Sequence, residues 1–140
     1  MAIDIADFFT SRNEEEGIWF EPKVKKDGKE LGIGIEFRLL GNSSDAAVLA
    51  GELYEKELSV AEGEKDSVKK SHLERDALVK RIAAMVVDIR PKGGEEILID
   101  GKPLSYSRQN VEAILAGSRV IRSQLLSAFM ATENFMTRKD

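Results

Sequence analysis

The chain has no cysteine. That excludes disulfides and thiolate metal ligands and fits a reducing cytosol. It has one histidine, so a histidine-rich metal centre is excluded too. No apolar run approaches the ~20 residues that a membrane-spanning helix needs. The N-terminal segment MAIDIADFF lacks a basic region and a long apolar stretch, so no secretory signal is expected. Net charge is −4, which does not favour long-range attraction to nucleic acid or to an anionic membrane, and neither is expected as a partner. Proline occurs three times, at Pro22, Pro91 and Pro103, and each marks a boundary.

The 140 residues are 42% hydrophobic and 33% charged, a globular rather than disordered composition. A chain this long buries roughly two-thirds of its unfolded surface and builds one core without staples. The expectation is therefore a single domain, 1–140. Residues 1–41 hold an N-terminal segment and a β-hairpin, 43–136 a helical core, and 137–140 a loose tail.

The stretch 71–90 organises the rest. Leu73, Ala77 and Val79 alternate with Glu74, Arg75, Asp76 and Lys80 at helical spacing. Ile82, Ala83, Ala84, Met85, Val86 and Val87 follow with no polar face, and a helix apolar all round must be covered all round. The pattern predicts a central helix buried in its second half and stopped by Pro91 and Gly93-Gly94.

Before it, residues 17–24 and 31–40 read as the two arms of one hairpin turning at Asp27-Gly28. Ile33, Ile35, Phe37 and Leu39 alternate with polar residues and glycine, and should lie on the helices. Ser43 or Ser44 is placed to cap a helix over 46–58, with Ala46, Leu49, Ala50 and Leu53 on one face. The charged segment 59–67 reads as a break, one bent helix being the alternative. After the central helix, Asp100-Gly101 predicts a second short hairpin within 95–106. Ser107 should cap a helix to Ala116, with Gly117 as a left-handed stop. Ser118 should start a last helix with Val120, Ile121, Leu125, Ala128 and Phe129 inward. The fold class expected is α+β, mostly helical.

The residues offer little chemistry. His72 and Asp76 share the i,i+4 spacing of a metal pair, but nothing completes the set. Glu14-Glu15-Glu16 reads as a solvated linker. Gly32 and Gly34 lie in a strand pattern rather than a phosphate loop. Lys23, Lys25, Lys26 and Lys29 cluster at a turn, read as solvated, with a contact to an acidic partner as the alternative. No catalytic residue, metal or cofactor is expected. The aromatic pairs say more. Trp19 and Phe20 are adjacent on a strand, so they point to opposite faces and a one-layer hairpin covers only one of them. Phe8-Phe9 and Phe135-Met136 pose the same question at the chain ends, and for each pair the readings are ordinary core filling or a subunit or partner interface. With Phe129 and Met130 these form the candidate partner-binding or self-association set.

The order of signals resembles the tail assembly chaperones of long-tailed, siphovirus-type bacteriophages. Two strands end in Gly41-Asn42-Ser43-Ser44. A charged helix runs into Arg81-Ile82-Ala83-Ala84-Met85-Val86. Then come the segment from Ile99 to Ser107, Asn110-Val111, Gln124-Leu125, Phe129 and Asn134-Phe135. The likeness covers about 17–135. Relatives often carry a tryptophan after the alanine-rich helix, where this chain has Asp88-Ile89-Arg90. The resemblance implies a non-enzymatic protein of the host cytoplasm, absent from the mature virion. It implies binding to the tape measure protein, recruitment of the tail tube protein and assembly into a homo-oligomer. Tail-completion or connector proteins of the virion are the second class. A small-molecule-binding regulator is the third.

Overall fold

The computed structural model describes residues 2–137. A 3-10 turn at Ile5–Phe8 leads into α1 (Ser11–Glu16), β1 (Ile18–Phe20), β2 (Lys23–Lys26), β3 (Lys29–Gly32) and β4 (Ile35–Leu39). Two long helices follow, α2 (Asp45–Glu62) and α3 (Ser67–Met85), then β5 (Val86–Pro91). The chain ends with β6 (Leu98–Ile99), β7 (Lys102–Pro103), α4 (Arg108–Gly117), α5 (Arg119–Met130) and a 3-10 turn at Thr132–Phe135. The class is α+β and mostly helical, as the periodicities indicate.

The central element is part helix and part strand, which corrects the expected helix over 71–90. α3 ends at Met85, and the next residue already belongs to β5, which pairs antiparallel with β4. Val86, Val87 and Ile89 are β-branched and pack well on a pleated surface. The β4 ladder gives their backbone groups partners, and the Leu40 N–H donates to the Met85 carbonyl at 2.9 Å. Ile82, Ala83, Met85 and Val86 are buried, as required. Val87 is not: it sits where the register shifts between Arg38 and Leu39, as the extra residue of a bulge, and is 38% exposed.

The first hairpin is two sheets in series. β1 pairs with β4 and β2 with β3, and the arms bend at Glu21-Pro22 and Ile33-Gly34. Asp27 and Gly28 have φ of 53° and 76°, a two-residue turn whose twist matches the strands. Asp100 and Gly101 repeat it in the short β6–β7 hairpin. The inner sheet, ordered β1-β4-β5, lays Phe20, Phe37, Leu39, Val86 and Ile89 on Ile82 and Met85 of α3, Val111 and Leu115 of α4, and Leu125 and Phe129 of α5. Ile33 and Ile35 pack at the margin of that cluster.

The 59–67 break is narrower than expected, and α2 and α3 are two helices packed side by side. Ser44, Ser107 and Ser118 each accept a backbone N–H at a helix start. Gly117 is the last residue of α4 and not a left-handed stop, because Ser118 closes α4 and opens α5 without a turn between them. Val120 faces outward, at 47% exposed.

Residues 11–16 are a helix, not a linker, and the acidic run fixes α2. Glu14 is buried. Its Oε2 accepts from Thr10 Oγ1 at 2.8 Å and its Oε1 from the Ser43 N–H at 3.0 Å. Its carbonyl accepts the Gly41 N–H at 2.9 Å. Glu15 Oε1 accepts the Asp45 N–H at 2.8 Å. Both carboxylates thus sit at the positive end of α2. A side chain at position 41 would run into that of Glu14, which is why glycine stands there. Glu14→Ala removes a charged acceptor from the Ser43 N–H and the Thr10 hydroxyl, and a loss of about 1.5–3 kcal/mol of unfolding free energy is expected in urea titration. Glu14→Gln, which keeps an acceptor, should lose clearly less.

Candidate functional site

The aromatic set separates into three groups. Phe129 and Phe135 are fully buried, so they are core and not contact surface; this corrects their place among candidate partner residues. Phe129 belongs to the α5 stripe, and Phe135 is held because Asn13 Nδ2 donates to its carbonyl at 3.0 Å. Trp19 and Phe20 do point to opposite faces. Phe20 packs against the core, and Trp19 lies on the outer face with the Arg90 guanidinium 3.8 Å from its ring centroid. Arg90 is itself held by Glu36 at 3.0 Å, so one face of the indole has an internal partner. Phe8, Phe9 and Met130 are exposed, and Met136 is half-buried. Trp19 and Met136 meet at a cleft of about 450 Å³, whose wall also includes Asn13, Ile18, Glu133 and Asn134.

The larger apolar surface lies elsewhere. Leu49, Leu53 and Val60 follow one another along α2 at helical spacing and are 68%, 51% and 71% exposed. α2 touches the core through Ala47 and through the partly buried Ala46 and Ala50, so these small residues face in while Leu49 and Leu53 face out. Two shallow troughs run beside this row. One, of about 290 Å³, is lined by Ala46, Leu49, Ala50, Leu53, Ala84 and Arg108. The other, of about 250 Å³, is lined by Glu57, Val60, Leu73, Asp76 and Lys80. The pair of helices is braced from within. Arg81 lies 4.9 Å from the Tyr54 ring centroid and 5.9 Å from that of Phe129, and Lys80 Nζ is 3.6 Å from Glu57 Oε1.

Helical spacing puts Leu49 and Leu53 on one face with Ala46 and Ala50, and the structure parts them. The available signal was size: a helix that packs closely on another turns its alanines inward, and leucines a quarter-turn away then stand clear.

His72 and Asp76 are exposed on α3, and among the described residues no three His, Cys, Asp or Glu side chains converge as metal ligands. No helix among the described residues is long and apolar enough to cross a membrane.

A second polar anchor holds the hairpin base. Glu21 accepts from Lys92 Nζ at 3.0 Å and from the Gly34 N–H at 2.9 Å, while the Lys92 N–H donates to the Gly34 carbonyl at 2.9 Å. The hydrogen bond from Lys92, followed by that from Gly34, holds the Glu21 carboxyl below the usual glutamate range. The same bond to Glu21 raises the Lys92 ammonium above its usual value. The depressed Glu21 pKa adds stability that is complete above the ordinary glutamate pKa and lost as pH falls through the lowered one. The raised Lys92 pKa adds stability that is complete below the ordinary lysine pKa and lost as pH rises through the raised one. The stability difference between the wild type and Lys92→Met should therefore be flat across neutral pH and shrink at both extremes. It should also be small, because the lysine end is wet and screened.

Comparison with protein families, with curated proteins and with solved structures finds no match.

Proposed function

We propose that this chain is a non-catalytic tail assembly chaperone of a long-tailed bacteriophage that covers apolar helical segments of the tape measure protein with its α2 face. The carrying observation is the exposed row Leu49, Leu53 and Val60 beside two shallow troughs. An amphipathic helix laid along α2 would bury that row, which is how helical partners are commonly recognised. The troughs are shallow and run along a helix, as suits repeated and reversible contacts better than one tight pocket. The motif order from Gly41-Asn42-Ser43-Ser44 to Asn134-Phe135 supports the same reading. In it the chain acts in the host cytoplasm, associates with further copies around the tape measure and recruits tail tube protein. Exposed Phe8, Phe9 and Met130 are available for those contacts.

The test is co-expression with the tape measure protein encoded in the same genome. The expected result is soluble tape measure protein that co-purifies with this chain, and a purified virion without it. Stoichiometric amounts of the chain in virions would overturn the chaperone reading in favour of a tail-completion or connector protein. A tape measure protein that stays insoluble would overturn it as well.

A further inference from the structure

The β2–β3 hairpin holds the densest cluster of lysines in an acidic protein. Lys23, Lys25, Lys26 and Lys29 stand against two acids, Asp27 and Glu30, while the whole chain carries −4. All four lysines are exposed, and none is within ion-pairing distance of a described residue. Lys26 stands directly across the strands from Lys29, and like charges in that register destabilise a hairpin. The next pair on that face is Val24 and Leu31. Leu31 is 47% exposed, so the hairpin presents an apolar step backed by uncompensated positive charge.

This hairpin is mounted rather than loose. Gln124 of α5 clasps the Lys23 backbone from both sides: its Oε1 accepts the Lys23 N–H at 2.7 Å, and its Nε2 donates to the Lys23 carbonyl. Glu21, on the same arm, accepts from Gly34 of the opposite arm and from Lys92 beyond it. A turn needed only for solubility gains nothing from two anchors, whereas a binding element held in place loses less freedom on docking.

We infer that the β2–β3 hairpin is a docking element for an acidic protein segment that also carries apolar side chains, with Lys26 and Lys29 meeting its carboxylates and Val24 and Leu31 its apolar groups. The mixed face favours a protein over nucleic acid, since Val24 and Leu31 stand beside the lysines there and no aromatic stands on the hairpin for bases to stack on. The inference does not rest on the α2 surface, so Leu49→Glu with Leu53→Glu should leave it intact.

Fluorescence anisotropy of the full chain tests it. The probe is a labelled synthetic peptide with leucines three and four apart and glutamates between. Comparators are the same peptide with glutamine for glutamate and a single-stranded oligonucleotide. The glutamate peptide should bind, and Lys26→Glu with Lys29→Glu should weaken it about tenfold or more. Added salt should bring the wild type towards that variant. Lys65→Glu with Lys69→Glu, remote on the α2–α3 side, should have no such effect. Lys29→Glu alone sets opposite charges across the turn, so it should raise the melting temperature while lowering affinity, a combination that no folding defect gives. Equal binding of the glutamine peptide, preference for the oligonucleotide, no binding at all or equal loss in the remote variant would each overturn the proposal. So would sedimentation showing that hairpin reversal disperses an oligomer of this chain, since the occupant would then be a second copy.

Discussion

Phe37→Ala should cost about 3–5 kcal/mol of unfolding free energy, the range for deleting a buried aromatic side chain. Phe37 lies on the middle strand of the inner sheet, paired with Phe20 on one side and Ile89 on the other. It is wholly buried, and helices and strands close over it, so the cavity has little room to collapse. Domains of this size are stable by only about 5–15 kcal/mol, so a large share of the folded population is at stake. Urea unfolding should show a lower midpoint with an unchanged slope. Ile35→Ala, at the margin of the same strand, should lose markedly less. Equal losses at the two positions would contradict the placement of the core at Phe37.

The second large effect concerns binding and leaves the fold alone. On the proposed function, Leu49→Glu combined with Leu53→Glu should abolish co-purification with the tape measure protein. Each leucine, fully buried against a partner helix, is worth about 1.5–3 kcal/mol, so the pair corresponds to roughly 10²–10⁴ in affinity. Both side chains already stand in water, and the melting temperature should shift by little. Loss of binding with an unchanged melting temperature separates a docking surface from a core defect. Retained co-purification would remove α2 from the interface and throw the weight onto Phe8, Phe9 and Met130.

The legible parts of this fold are those where chemistry is local. Asp-Gly turns need two residues with positive φ, and both hairpins follow from them. A serine before a periodic segment satisfies free N–H groups, and three helices start as their serines indicate. Alternation from Ile33 to Leu39 gave the buried face of the strand. What stayed hidden depends on distant partners. Val86 and Val87 continue an apolar helical pattern, and only β4 lying alongside makes strand the better conformation. Glu14 looks solvated until the loop from Gly41 to Ser44 folds over it. Among the aromatic candidates, adjacency correctly sent Trp19 and Phe20 to opposite faces. Proximity to the chain end was misleading for Phe135, which Asn13 and the terminal 3-10 turn draw inward.

The seam between α3 and β5 sets a limit on how this chain can change length. Helix and strand abut at Met85-Val86 with no linker. One added residue there would rotate everything upstream by about 100°, or else slide the strand so that each side chain swaps faces. The rotation would turn the buried stripe of α3 away from the core, and the slide would bring Asp88 or Arg90 towards the interior. Insertions should instead gather at the corner around Gly63 to Asp66, leaving the 85–86 junction as the fixed ruler mark from which both flanking segments are measured.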